Sequence, residues 1–123
     1  MKNKIGVMQG RLLNKYQGRY QAHPLGYWEG EFKSAQKIGL DCIEFIFDYN
    51  DFEKSPLLTD DGINKIMSAS EKTDVGVFTI CGDYFMEFPL HSEDLSVSKQ
   101  SYSVLIRLLD SAYKLGVTDI VLP

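Results

Sequence analysis

Apolar positions along this chain recur with two different periods. Four short runs rich in β-branched and aromatic residues, Ile5–Met8, Cys42–Phe47, Val75–Cys81 and Asp119–Leu122, predict strands. Between them the spacing lengthens to that of helices. The last helix is the most regular, with Tyr102, Leu105, Ile106, Leu109, Ala112 and Tyr113 at i, i+3, i+4 intervals, and with Lys99, Ser103, Arg107, Asp110 and Lys114 facing away. A second helix starts at Thr59, a good N-cap, with Asp60 and Asp61 in the turn where the helix dipole favours negative charge, and with Ile63, Ile66 and Met67 as its buried side. The first, about Trp28 to Ile38, is weaker: only Phe32, Ala35 and Ile38 keep the period, and Gly30 sits in its first turn.

Two segments repeat. Ala35-Gln-Lys-Ile-Gly-Leu-Asp-Cys-Ile43 and Ala112-Tyr-Lys-Leu-Gly-Val-Thr-Asp-Ile120 each close a helix with a glycine, Gly39 or Gly116, and enter a strand within about three residues. From Ala35 to Ala112 the offset is 77 residues, which is two β/α units of roughly 38 residues each. Connections after strands are long (Gln9–Tyr27, Asp48–Leu58, Gly82–Val97), and those after helices are short. That asymmetry predicts parallel (β/α) units whose chemistry gathers at the carboxyl ends of the strands. Alternation within a strand then sorts the faces. Ile43, Phe45 and Phe47, with Phe78 and Ile80, are expected to meet helices, whereas Cys42, Glu44, Ile46 and Asp48, with Thr79, Cys81 and Asp83, share the other face. So polar a face suits the lumen of a barrel near its mouth better than a layer covered by helices.

Composition narrows this further. The chain has 123 residues, 44% of them hydrophobic, with 13 Lys+Arg against 17 Asp+Glu and a net charge of −4. One domain is expected, and the mildly acidic balance argues against a nucleic-acid binder, whose footprint is basic. No run nears the roughly 18 apolar residues of a membrane-spanning helix. The basic start Met1–Lys4 is followed by an apolar run, Ile5–Met8, too short for a secretory leader, so a cytoplasmic location and no membrane partner are expected. Cys42 and Cys81, far apart and without a CxxC, read as buried thiols and not as a disulfide or zinc site.

Three stretches carry a resemblance. Lys4-Ile-Gly-Val-Met-Gln-Gly-Arg-Leu12, Leu40-Asp-Cys-Ile-Glu-Phe45 and Asp83-Tyr-Phe-Met-Glu-Phe-Pro-Leu-His91, in this order and spacing, resemble the first half of the sugar phosphate isomerase/epimerase family, which belongs to the xylose isomerase-like TIM barrels. The resemblance extends over essentially the whole chain and stops with the fourth strand. It implies the N-terminal half of a TIM barrel, with four strands and three helices forming one partial domain over residues 1–123. A complete barrel has eight strands and about 250 residues. In the intact fold it further implies a divalent metal (Mn, Mg, Co or Zn), held by Glu, Asp, His and Glu on later strands, and two carboxylates that shuttle the proton. None of those positions lies in this chain, so no metal ligand is carried over and no cofactor is expected for these residues alone.

The expected activity of the intact barrel is therefore metal-dependent isomerisation or epimerisation of a sugar, sugar phosphate or polyol. Five residues are candidates for touching the substrate. Glu44, a mid-strand carboxylate, would orient a hydroxyl or a metal-bound group, or would pair with Lys4 or Arg11 for structure. Arg11, two residues past the first strand, is the preferred anchor for a phosphate or carboxylate. Asp83 and Tyr84 follow the third strand, and His91, whose ordinary pKa lies near neutrality, sits in the loop beyond. The first long loop carries Arg11, Lys15 and Arg19 with no acid, while Gly82–Val97 carries Asp83, Glu87, Glu93 and Asp94 with no Lys or Arg; direct pairing between these loops is expected. Tyr16, Tyr20, Tyr27 and Trp28 would either wall a sugar site or pin the loop to the rim, and Phe85 shares that choice; His23 has no evident partner. Two other functional classes remain: an abasic-site endonuclease of the endonuclease IV type, which belongs to the same barrel group, and a non-catalytic half-barrel module. The outer strands would be open edges, so self-association is expected if the chain is complete.

Overall fold

A computed structural model describes residues 3–123; Met1 and Lys2, half of the basic start noted above, lie outside them. Four strands, β1 (Gly6–Met8), β2 (Cys42–Ile46), β3 (Thr79–Cys81) and β4 (Asp119–Val121), form one sheet in the order β1-β2-β3-β4, with every neighbouring pair parallel. Helices α1 (Gly30–Lys37), α2 (Asp60–Thr73) and α4 (Leu95–Leu115) connect successive strands. A fourth, α3 (Tyr84–Glu87), is a single turn inside the loop after β3, and two 3-10 turns, Phe52–Lys54 and Pro56–Leu58, lie in the loop after β2. The fold is thus α/β with an all-parallel sheet and four helices where the hydrophobic periods predicted three. A one-turn element is too short to show a period. No helix among the described residues is long and apolar enough to cross a membrane.

The repeated helix-to-strand joints behave as their glycines require. Gly39 and Gly116 take φ of +81° and +74°, and Leu40 and Val117 donate their backbone N–H to the carbonyls of Ala35 and Ala112, closing the helices before the chain turns into β2 and β4. At the other end, the Thr59 hydroxyl accepts from the Gly62 N–H and caps α2, and the Asp94 carboxylate does the same for α4 through Ser96.

One face of the sheet carries the core. Ile43, Phe45 and Phe47 of β2 and the segment after it pack with Val75, Val77 and Ile80 against Phe32, Ala35, Ile63, Ile66, Leu108 and Ala112. Phe78 departs from the expected alternation. Cys42 opposes Gly76 and Phe45 opposes Ile80, so three steps along β2 match four along β3. The extra residue is a bulge that switches the side on which each later residue points. Val75 and Val77 face the helices, Ile80 does so again after the bulge, and Phe78 leaves the core, half-buried under the Lys4 ammonium at 4.4 Å from its ring centre.

The α4 face also differs from expectation. Of the predicted stripe only Leu105 and Ala112 pack inward, joined by Ser101, Val104, Leu108, Ser111 and Leu115, whereas Tyr102, Ile106, Leu109 and Tyr113 are exposed. Two serines explain the rotation. Ser101 and Ser111 are small enough for close approach, and their hydroxyls donate to the carbonyls of Phe88 at 2.7 Å and Leu57 at 2.5 Å, which satisfies them inside the core. Ile38 and Met67, also expected inside, are exposed: Ile38 caps α1 outside its last turn, and Met67 lies on the open side of α2.

Close packing makes one helical glycine sterically obligatory. A Cβ at Gly62 would lie 2.1 Å from the Pro56 carbonyl oxygen, because α2 rests directly on the preceding 3-10 turn. Gly62→Ala should therefore destabilise the chain by about 2 kcal/mol or more, although the same exchange in an open helix stabilises by about 1 kcal/mol. A urea midpoint that is unchanged or raised would contradict this packing.

Candidate functional site

The carboxyl ends of β1, β2 and β3 converge on a cluster of polar side chains roofed by the loop of residues 9–29. Gln9, directly after β1, starts it. Its Oε1 accepts from the Ile46 N–H at 2.8 Å, extending the β1–β2 pairing by a side chain where the backbone of β1 has already turned away. Since that N–H fixes Oε1 as the acceptor, His23, whose Nδ1 lies 3.3 Å from the same oxygen, carries its proton on Nδ1. The His23 ring tilts against Trp28 and Phe45, with centroids at 5.9 and 5.4 Å, and its Nε2 is buried without a partner among the described residues.

Asp48, two residues past β2, is 2% exposed and binds the same loop. Its Oδ2 accepts from Arg19 Nη2 at 2.8 Å and from the His23 N–H at 3.2 Å, and its Oδ1 accepts from the Tyr49 N–H at 2.9 Å. Asp83, two residues past β3, accepts from the Cys81 thiol at 3.2 Å and from Gln21 Nε2 at 3.3 Å. Gln21 in turn accepts from Arg11 Nη2 at 3.3 Å, and its backbone carbonyl accepts from Arg19 Nη1 at 3.2 Å. Glu31, wholly buried at the start of α1, takes the N–H groups of Gly10 (2.8 Å) and Leu12 (3.0 Å), which holds the first turn of the loop. Gly10 admits no side chain: φ is +91°, and a Cβ would fall 1.9 Å from the Tyr20 carbonyl oxygen.

Burial sets the protonation of these groups. It raises the Glu31 pKa, an effect that the two backbone N–H groups oppose. Burial and then the Asp83 hydrogen bond push the Cys81 thiol up to about 12, so it stays a neutral donor to the carboxylate. Burial lowers His23 to about 4 despite the nearby Asp48 charge, so the ring is neutral at pH 7.

The five sequence candidates separate. Asp83 and Arg11 belong to the cluster, joined through Gln21. Glu44 lies on the face away from the helices, half-buried, and lines a shallow cleft of about 250 Å³ with Gly6, Met8, Cys42 and Thr79. Neither expected structural partner serves it, since Lys4 sits over Phe78 and Arg11 is on Gln21. Tyr84 is fully buried among Phe47, Phe52, Phe85 and Phe88, with ring centroids 4.9 to 5.2 Å away, and its hydroxyl has no partner among the described residues. His91 is exposed in the turn before α4 and joins none of these groups.

Direct pairing of the basic and acidic loops does not occur among the described residues: Arg19 finds Asp48 of β2's own loop, and Arg11 reaches Asp83 only through the neutral amide. The loop aromatics mostly pin it. Tyr16 donates to Asp51 at 2.9 Å and packs on Tyr27, whose hydroxyl donates to the carbonyls of Asn14 and Lys15, while Trp28 lies in the core. Gln9, Gln21 and Glu31 were not singled out from sequence. Their only signal was position: a glutamine directly after a strand, a glutamine inside an acid-free loop, and an acid in a first helical turn. In comparison with known proteins, no protein-family model and no curated protein matches the chain.

Two expected outcomes follow from the buried groups. Unfolded chains protonate His23 near its ordinary 6.5 while the folded state resists down to about 4. Its contribution is thus intact above pH 6.5 and is lost on acidification, by up to about 1.4 kcal/mol per pH unit. His23→Gln should flatten the fall of stability between pH 6.5 and 5, as read by urea unfolding at each pH; an unchanged slope would show that the ring is already protonated or exposed. Tyr84→Phe deletes an unpaired buried hydroxyl and should leave stability equal or raise it by about 1 kcal/mol. A loss of more than that would reveal a partner for the hydroxyl.

Proposed function

We propose that these residues form the N-terminal half of a TIM barrel of the sugar phosphate isomerase/epimerase type, and that the carboxyl ends of β1–β3 supply the hydroxyl- and anion-binding side of its site. The supporting observation is the meeting of Gln9, Asp48 and Asp83, from the ends of three successive parallel strands, under one loop that also brings Arg11, Arg19 and Gln21. In parallel α/β folds ligands bind at that end of the sheet.

Each group has a chemistry suited to a polyol. Asp83 and Glu44 carry carboxylate oxygens that accept from sugar hydroxyls, while Gln21 supplies both a donor and an acceptor. Arg11 is exposed and, among the described residues, meets only the neutral Gln21 amide, so its charge is free for a phosphate or carboxylate; that of Arg19 is already matched by Asp48. Among the described residues no three His, Cys, Asp or Glu side chains come together to hold a metal ion. We assign this half binding and orientation of the substrate. The divalent cation of the intact barrel would polarise the substrate carbonyl from ligands on later strands.

The reading is tested on the chain itself by amide NMR titration with a panel of aldose and ketose phosphates. Shifts are expected at Gly10–Gln21 and around Glu44, Asp48 and Asp83, and Arg11→Ala should weaken binding of the phosphorylated sugars about tenfold or more while sparing their unphosphorylated counterparts. Shifts elsewhere, or none at millimolar ligand, would overturn it, as would absence of turnover by a completed barrel supplied with Mn²⁺, Mg²⁺ or Co²⁺ across the same panel.

A further inference from the structure

Gln9 is bound at one end of its amide and bare at the other. The residue is 1% exposed, and its Oε1 takes two donors, the Ile46 N–H at 2.8 Å and His23 Nδ1 at 3.3 Å. Its Nε2 meets no acceptor among the described residues. Solvent nevertheless reaches that nitrogen, because among the described side chains only His23 Nε2 and the Tyr84 hydroxyl are both closed to solvent and without a partner. A donor held this deep and left unpaired at the carboxyl ends of parallel strands is placed for an acceptor that arrives from outside the chain.

This vacancy does not belong to a free edge of the sheet. By bonding the Ile46 N–H, Gln9 leans across to β2 and away from the side on which β1 has no neighbour. Everything that fixes the amide lies between residues 9 and 48. Turned over, it would set its N–H groups against the Ile46 N–H and the His23 Nδ1–H, donor against donor. His23 cannot give way, since its backbone N–H is held by Asp48 Oδ2 at 3.2 Å and its ring is packed against Trp28 and Phe45. Moving the ring proton to Nε2 would bury an unpaired donor, because that atom is sealed.

We infer that Gln9 Nε2 donates a hydrogen bond to an oxygen of the bound sugar, and that His23, which touches no ligand, is the positioning residue that holds the Gln9 amide with its donor outward. The inference rests on the sugar-binding reading above and deepens it. Asp83 and Glu44 only accept, so they take hydroxyl protons, whereas Gln9 requires a lone pair. A sugar hydroxyl offers both, and a sugar carbonyl offers the lone pair alone. The cluster is thus complementary to a chain of alternating donors and acceptors, which is what a polyol presents.

Amide NMR of the whole chain with glucose and fructose phosphates as probes reads this directly. The Gln9 side-chain N–H signals, identified by their loss in Gln9→Glu, should move and saturate together with the backbone signals of Gly10–Gln21. Gln9→Glu keeps an acceptor for Ile46 and His23 but replaces the donor by a second oxygen. It should fold, weaken binding about tenfold and raise the His23 pKa from about 4 toward its ordinary 6.5, because a carboxylate on Nδ1 favours the charged ring. Two variants of His23 then separate positioning from packing. His23→Asn can set an amide N–H where Nδ1 stands but gives up the aromatic contacts, and His23→Phe keeps those contacts without the donor. Affinity should follow the donor, staying near native in the first and falling about threefold in the second, while the urea midpoint follows packing and is higher in the second. Mouth signals that shift beside an unmoved Gln9 amide, native affinity in Gln9→Glu, or affinities that rank with stability across the His23 pair would overturn the roles of Gln9 and His23 and leave the sugar site standing. No shift anywhere at the mouth would overturn both.

Discussion

A connection of about 20 residues without regular structure must find partners for its backbone groups, and the loop between β1 and α1 does so by borrowing side chains from the elements around it. The Glu31 carboxylate receives the N–H groups of Gly10 and Leu12, and Asp48 receives that of His23; Gln9 does the reverse service, lending its oxygen to the Ile46 N–H of β2. Backbone donors left bare inside a fold cost about as much as a lost hydrogen bond each. These few carboxylate and amide oxygens therefore decide whether the loop lies on the strand ends or swings free. The candidate site is a consequence of that anchoring, because Arg11, Arg19 and Gln21 all ride on the loop.

Anchoring by ionised groups sets opposing effects against each other. Taking a carboxylate out of water costs several kcal/mol, and each charge-assisted hydrogen bond returns about 1.5 to 3 kcal/mol. Asp48, with one guanidinium and two backbone donors, is well compensated. Glu31 has backbone donors and no ion partner among the described residues, and for it burial outweighs the hydrogen bonds, which is why its pKa rises. Among the described residues, Asp83 has only a neutral thiol and a neutral amide as partners. Of the three it is the carboxylate with most unused acceptor capacity beside the mouth, which suits it to a ligand hydroxyl more than the saturated Asp48.

Much of the architecture was legible in the sequence because it follows from local rules. Strand alternation, the glycines at positions 39 and 116 and the contrast between long and short connections each depend on neighbours along the chain, and all of them led to the parallel sheet. The α4 face was not legible. That helix is apolar on two adjacent flanks, and only the Ser101 and Ser111 hydroxyls, which reach carbonyls far away in sequence, decide which flank is buried. The cluster itself was half legible: Asp83 and Arg11 stood out as charges near strand ends, but the Gln21 that joins them is neutral and lies in a loop with no periodicity to place it.

The bulge in β3 shows how a single residue couples the core to the site. Val75 and Val77 face the helices, and unbroken alternation from them would send residues 79, 81 and 83 to the same apolar side. Cys81 and the aspartate that its thiol binds would then be pressed toward the layer that holds Phe32, Ile66 and Leu108, where an ionised carboxylate has no donors to meet. With one extra residue between Gly76 and Ile80, the helix side receives Ile80 instead, and Thr79 joins Glu44 on the open face. Phe78 is displaced from the core in return, and Lys4 covers its ring. A strand of fixed parity cannot present valines to a core at one end and an acid to a polar mouth at the other with these residues in this order. The bulge makes both possible, and it also bends the strand.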